Sequence, residues 1–257
     1  FAHLASMPLQ YVFADHWLVD VFTVDPQTRR YPQRLWLTLL VDAYSRCILG
    51  MALLHEHPSI LSIQSALQHA IWMKTSHQLL GMNEPWNCFG IPLQLFLDNA
   101  WAHHSYSLED LARGISQGGE YNSIDLVFRP PYKGRYGALV ERLFGHLSTR
   151  MKAELPGAIA SSQPKVVGLA SQSASLLYED INRFLHREIL TYLHTPHHEL
   201  QGLTPHQKWQ QGLNSAIPRV PPADAATQRL FWRMHYQPRV VTHEGVSAFG
   251  MKYNAPE

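Results

Sequence analysis

The chain has 257 residues, of which 46% are hydrophobic, so it can bury the core of one large domain, and wholesale disorder is excluded. No apolar run is long enough to cross a membrane. The formal net charge is only +1, so any nucleic-acid surface has to show as a local charge pattern and not as a global one.

Tyr11 to Asp25 is dense in Val, Phe, Trp and Tyr and reads as a strand, long enough to need a bend or bulge near Trp17. Leu35 to Val41 and Cys47 to Leu54 are the next strands, joined by turn chemistry at Asp42-Ala43-Tyr44-Ser45-Arg46, so residues 11–54 read as an antiparallel meander. Ser59 caps a helix with apolar positions Ile60, Ile63, Leu67, Ala70 and Ile71. After a loop over 81–90, Leu93 to Leu97 is a buried strand that follows a helix and is therefore parallel to its neighbour. Leu108 to Ile115 reads as a short helix, and Ile124 to Phe128 as a strand closed by Pro130-Pro131. Gly137 to Lys152 reads as a helix with the stripe Val140, Leu143, Phe144, Leu147 and Met151, which Glu141 borders. Pro156 to Ser175, rich in Gly, Ala, Ser and Gln, reads as a mobile loop. A long amphipathic helix runs from Leu177 to Tyr192. Thr204-Pro205-His206-Gln207 is a capping box that opens a short helix through Trp209. Ile217 to Thr227 reads as a linker, with short strands from Leu230. This order of elements predicts an α/β domain of RNase H-like type, with a mixed sheet and flanking helices.

Three acids stand out against this scaffold. Asp15 lies inside an apolar strand, where a bare charge is costly and a metal ion would compensate it. Asp98 ends the apolar run Leu93-Gln94-Leu95-Phe96-Leu97, and Glu141 sits in the first turns of a helix; 82 and 42 residues lie between the acids. Two strand acids and a helix acid could converge on Mg²⁺ or Mn²⁺, the arrangement that two-metal phosphoryl transfer needs.

The chain resembles the DDE transposases and integrases, most of all the TnsB, TniA and Mu transposase branch. The residues that carry the likeness are Ala14-Asp15-His16, the run Leu37 to Gly50, Leu97-Asp98-Asn99, Lys133-Gly134, Val140 to Phe144, and His198 to Trp209. Arg239 to Tyr253 looks like the opening of a small β-barrel. Where the family commonly has Gly after Asp-Asn, this chain has Ala100. The resemblance implies a catalytic core over 1–155, a flexible loop over 156–175, a helical extension closing the core over 176–216, and a linker with the beginning of the barrel over 217–257. It implies Asp15, Asp98 and Glu141 as catalytic residues holding two Mg²⁺ or Mn²⁺ ions. It implies DNA as substrate (transposon ends and target), metal-dependent 3′-end cleavage and strand transfer, a multimeric transpososome, and an AAA+ ATPase regulator of the TnsC or TniB type. A nuclease of the same fold that only hydrolyses, and a catalytically degenerate DNA-binding scaffold, are the alternatives.

Several residues have plainer readings. Glu120 rivals Glu141 as third acid. Asp20 and Asp25 read as solvated acids and Asp42 as a turn former. His194, His197 and His198 lack ligand spacing and read as surface or DNA-facing. His16, His103, His104 and Trp101 could touch substrate or simply pack. From Phe128 to Lys152 the basic residues Arg129, Lys133, Arg135, Arg142, Arg150 and Lys152 face the single acid Glu141. That local excess reads as a phosphate-binding edge, with Arg129, Lys133, Arg135 and Arg142 as DNA contacts. Two cysteines, Cys47 and Cys88, without a CxxC pair fit a reducing compartment and a cytoplasmic location. The start at Phe1, with no basic-then-apolar leader, suggests a piece of a longer polypeptide.

Overall fold

A computed structural model describes residues 5–75, 78, 81–98, 105–115, 123–128, 138–214, 218, 220–221, 223–231, 245–248 and 251–253. Strands β1 (Tyr11–Thr23), β2 (Gln33–Asp42) and β3 (Ile48–Leu54) form the antiparallel meander. There follow α1 (Ile60–Ile71), β4 (Gln94–Leu97), α2 (Ser105–Gly114), β5 (Asp125–Phe128) and α3 (Ala138–Glu154). The sheet order is β3-β2-β1-β4-β5, with β4 parallel to β1 and β5 parallel to β4. This is the mixed, RNase H-like sheet that the element order predicts.

Asp42 closes the β2–β3 turn. Its buried carboxylate accepts from the backbone N–H of Leu9 (2.8 Å) and of Ser45 (2.7 Å) and from the Ser45 hydroxyl (2.6 Å). Burial pushes its pKa up to about 6. It is a turn former, as its place in the sequence predicts.

The pairing registers sort the side chains between two faces. Ala14, Leu40 and Gly50 lie in one row across β1, β2 and β3, and that row faces α1. The next row, Asp15, Leu39 and Met51, points to the opposite face, because side chains alternate along a strand. Trp17, two residues on from Asp15, meets Phe144 of α3 at 5.7 Å between ring centroids, so α3 lies on the Asp15 face. The stripe Val140, Leu143, Phe144, Leu147 and Met151 is buried as its spacing predicts.

The expected irregularity in β1 falls between Leu18 and Phe22, where the pairing with β2 shifts. Arg34 of β2 braces it, donating from Nε to the Val19 carbonyl (2.8 Å) and from one terminal nitrogen to the Leu18 carbonyl (2.9 Å).

Strand β3 is an edge, and its outward backbone groups are covered by side chains. Trp86 Nε1 donates to the Ile48 carbonyl (2.7 Å), Met51 N–H donates to His69 Nδ1 (3.1 Å), and the Tyr178 hydroxyl donates to the Leu53 carbonyl (3.1 Å). A capped edge of this kind cannot recruit another strand.

Beneath it lies Lys74, buried, with Nζ donating to the Cys88 carbonyl (2.8 Å) and 5.5 Å from the Trp86 ring centre. Cys47 and Cys88 are both free and buried. Burial draws the Lys74 pKa from 10.5 down to about 7, and the neighbouring cysteines oppose that only in part. The unfolded chain therefore binds a proton that the folded chain has released above pH 7, so stability rises with pH through that window. Unfolding free energy is expected to increase by about 2 kcal/mol between about pH 7 and 9. Denaturant titrations of wild type and Lys74→Met at both values check this, since the variant should lose most of the rise.

The structure corrects two readings of the second half. Residues 156–175, expected as a loop, contain α4 (Pro164–Gln172), and Ile159 is buried with its N–H on the Asp20 carbonyl at 2.8 Å. Pro164 opens the helix where its missing N–H costs nothing. The expected linker runs into α7 (Ala225–Phe231), capped by Asp224, which accepts from Thr227 N–H at 2.7 Å. Leu230 and Phe231, expected in strands, are buried in the same cluster as the sheet, and Phe231 meets Trp72 at 5.3 Å. Between these come α5 (Tyr178–Leu193), a short 3-10 turn (His198–Leu200) and α6 (Pro205–Leu213), whose Thr204–Gln207 capping box forms as the sequence predicts. Of the expected barrel, the described residues include β6 (Val246–Ala248) paired with β7 (Met251–Tyr253).

Candidate active site

Phe13 pairs with Phe96 in the parallel ladder between β1 and β4. Continued two residues, the last of them past the end of β4 at Leu97, that register would set Asp98 level with Asp15. Neighbouring strands lie about 4.8 Å apart, and level residues of a parallel pair share a face. Asp15 is half-buried and accepts the His16 N–H at 2.8 Å, while His16 Nδ1 lies 2.7 Å from Thr38 Oγ1 on β2. His16 is thus fixed by a neighbouring strand. Asp98 follows β4 and is exposed at the strand's carboxyl end, where ligand sites of open α/β sheets form.

Glu141 lies in the first turn of α3 and is exposed. It precedes Phe144 by three residues, nearly one helical turn, and Phe144 packs on Trp17. Ser148, one turn after Phe144, meets Asp20, so helix and strand run in the same direction. Glu141 therefore lies toward the Asp15 end of β1. Neither Asp98 nor Glu141 makes a hydrogen bond or ion pair with another described residue. Among the described residues, no three His, Cys, Asp or Glu side chains are gathered closely enough to hold a metal ion. The three acids lie on β1, just after β4 and in the first turn of α3, and their side chains do not form a closed cage. As a donor set they fit Mg²⁺ or Mn²⁺, hard cations that take carboxylate oxygens.

Asp20 is not the solvated acid the sequence suggests. One oxygen pairs with Arg34 (3.0 Å); the other accepts from the Ser148 hydroxyl (2.5 Å) and lies 3.5 Å from Lys152 Nζ. It locks α3 to β1 downstream of the acids. No spacing in the sequence announces this, since Ser148 is 128 positions away. Asp20→Ala is expected to cost about 2 kcal/mol of unfolding free energy in denaturant titration, by unpairing a half-buried arginine and leaving a hydroxyl without its acceptor. Asp25, in contrast, is the turn acid expected, a half-buried residue; hydrogen bonds from Thr28 hold its carboxyl below the usual range.

The basic edge looks different in space. Arg150 is bound by the buried Glu188 (2.8 Å) and by Glu154, Lys152 by Asp20, and Arg142 by Glu199. A local count cannot see acids supplied from distant elements, here Asp20 of β1, Glu188 of α5 and Glu199 of the 3-10 turn, so the excess is smaller than the sequence implies. Arg129, Lys133, Arg135, Glu120, Trp101, His103 and His104 lie outside the described residues. Nor are the histidines after α5 all surface groups: His194 Nε2 reaches the Pro85 carbonyl (3.1 Å), His197 packs edge-on to Tyr192, and only His198 is exposed. Among the described residues, no helix is long and apolar enough to cross a membrane.

The family described as TnsB C-terminal domain matches residues 13–157, an interval that contains all three acids. The chain is 25% identical over 250 residues to the transposase for transposon Tn552 of Staphylococcus aureus, covering 97% of this chain and 47% of that protein. It is 26% identical over 183 residues to the Tn7 transposition protein TnsB of Escherichia coli, covering 68% of this chain and 25% of that one. It therefore spans about half or less of these relatives. Among solved structures it is similar to the simian T-cell lymphotropic virus intasome in complex with the PP2A regulatory subunit B56 gamma, at TM-score 0.45 and 16% identity over 86% of this chain and 60% of that one. It is also similar to the Mos1 mariner paired end complex with Mn, at TM-score 0.35 and 12% identity over 90% and 54%. With more than half of its length matched, the chain belongs to the TnsB C-terminal domain family.

Proposed function

We propose that this chain is the catalytic core of a DDE transposase that cuts the 3′ end of a transposon and joins it to target DNA. The observation that carries the reading is the β1–β4 register, which, continued past Leu97, would set Asp98 level with Asp15 on the face covered by α3, whose first turn holds Glu141. In this reading water attacks the phosphodiester at the transposon end and frees a 3′-OH, and that hydroxyl then attacks a target strand. Asp15, Asp98 and Glu141 hold Mg²⁺ or Mn²⁺, ions which when bound activate the attacking oxygen and stabilise the leaving one. No side chain is the nucleophile; the carboxylates set position and charge, while water in the first step and the DNA 3′-OH in the second supply the attacking oxygen. DNA as partner, a multimer as the working form and an AAA+ ATPase as regulator rest on the family resemblance.

The test is strand transfer by the polypeptide that carries this chain, with a pre-cleaved transposon-end duplex, target DNA and Mg²⁺ or Mn²⁺. Joined product is the expected result. Nicking without joining would favour a nuclease of the same fold. The ungathered carboxylates favour the degenerate scaffold as second reading, and DNA binding without either reaction would establish it.

A further inference from the structure

A cavity of about 310 Å³ opens between α3, the β2–β3 turn and the segment after α5. Its floor is Leu143 and Tyr192, and its polar lining is Arg46, Arg142, Glu199 and three histidines, His146, His197 and His198. Arg46 is unusual in two ways. Its backbone is left-handed at φ 66°, a conformation that non-glycine residues adopt only at a cost. That backbone is held by the Tyr192 hydroxyl, which donates to the Arg46 carbonyl at 3.1 Å. Its side chain is mostly buried, yet Nε has no hydrogen-bond partner and the nearest contact to Glu199 is a loose 4.0 Å. A buried guanidinium normally fills its donor fork. Here the turn strains to bring a cation to the cavity and then leaves part of its binding capacity unused.

The Glu199 carboxylate, half-exposed, bridges Arg46 and Arg142. An anion with more oxygens than a carboxylate would fill both guanidinium forks better. Arg142 follows Glu141 in α3, about 100° around the helix, so the cavity flanks the acids and does not overlap them.

We propose that this cavity is a phosphate subsite for DNA, in which a backbone phosphodiester replaces the Glu199 carboxylate between Arg46 and Arg142. Glu199 is then a placeholder that keeps the site closed in the free protein and sets a threshold for DNA engagement beside the acids. The inference rests on the reading of the chain as a DNA-joining enzyme and adds to it a site and a gate.

The experiment measures duplex DNA binding by fluorescence anisotropy over a salt titration, in EDTA so that metal-dependent chemistry plays no part. Glu199→Gln keeps the shape and removes the competing charge. It is expected to tighten binding about threefold to tenfold and to steepen the salt slope by about one unit. Arg142→Gln added to that variant should return both to wild-type values or below. Because Arg46 substitutions could disturb the turn, Arg142, which is exposed, is the better second site. Wild-type affinity and slope in Glu199→Gln would overturn the proposal. Inorganic phosphate serves as the second probe: if it shifts the His146, His197 and His198 NMR resonances of Glu199→Gln while DNA does not, the cavity takes free anions only and the DNA assignment fails. Strand transfer retained alongside a null Glu199→Gln result removes the subsite and leaves the function. The Glu199→Gln effect without strand transfer does the reverse.

Discussion

Asp15→Asn and Asp98→Asn are each expected to lower strand transfer by about a thousandfold or more while leaving DNA binding in EDTA at the wild-type level. Asn keeps the size of the side chain and removes its charge, so the loss would come from the charge. Stability is expected to move the other way. Asp15 lies on β1 and Asp98 just after the neighbouring strand β4, and like charges on neighbouring strands repel. Removing one should leave the melting temperature in EDTA unchanged or slightly raised, the usual signature of a site kept for function at the expense of the fold. Glu141→Gln should likewise impair joining, without an equal gain in stability, because Glu141 lies on a helix and not in the strand pair. Joining retained in the Asp15 or Asp98 variant would remove that residue from the site.

Gly50→Val is expected to destabilise the fold by about 3 kcal/mol or more, read as a shift in denaturant midpoint. A Cβ at Gly50 would stand 2.5 Å from the Ala66 carbonyl oxygen and 2.7 Å from the Ala70 nitrogen. Both are backbone atoms of α1, so no side chain can turn aside, and the whole helix would have to lift from β3. Gly50→Ala should show the same effect at smaller size. Since α1 lies on the face opposite Asp15, a variant that still folds should keep its carboxylates in register.

The strands and the central helices were readable because each has a period that its burial demands. Val140, Leu143, Phe144, Leu147 and Met151 mark one face of α3, and β2 and β3 carry near-continuous apolar runs because both faces of the sheet are covered there. α4 was missed because its small residues bury little: Ala170 is the one buried residue of that helix. α7 was missed because three prolines precede it and its apolar anchor is only Leu230 and Phe231. The charge pattern misled for another reason. Lys152 and Arg150 look unpaired in a local window, but Asp20 and Glu188 reach them from distant positions. Tertiary partners of that kind leave no periodic trace. Asp15 and Asp98 stand out in the sequence because a charge inside or at the end of an apolar strand conflicts with its surroundings, which is the ground on which they are proposed as site residues.

The central claim is that Asp15, Asp98 and Glu141 share one metal site. Fe²⁺-directed hydroxyl-radical cleavage tests it most directly, because iron bound in place of Mg²⁺ or Mn²⁺ cuts the backbone nearest to it. The account predicts cuts clustered beside Asp15, Asp98 and Glu141, suppressed by excess Mg²⁺ and lost in Asp15→Asn. Cuts elsewhere in the chain, or cuts at these positions that persist in Asp15→Asn, would contradict it.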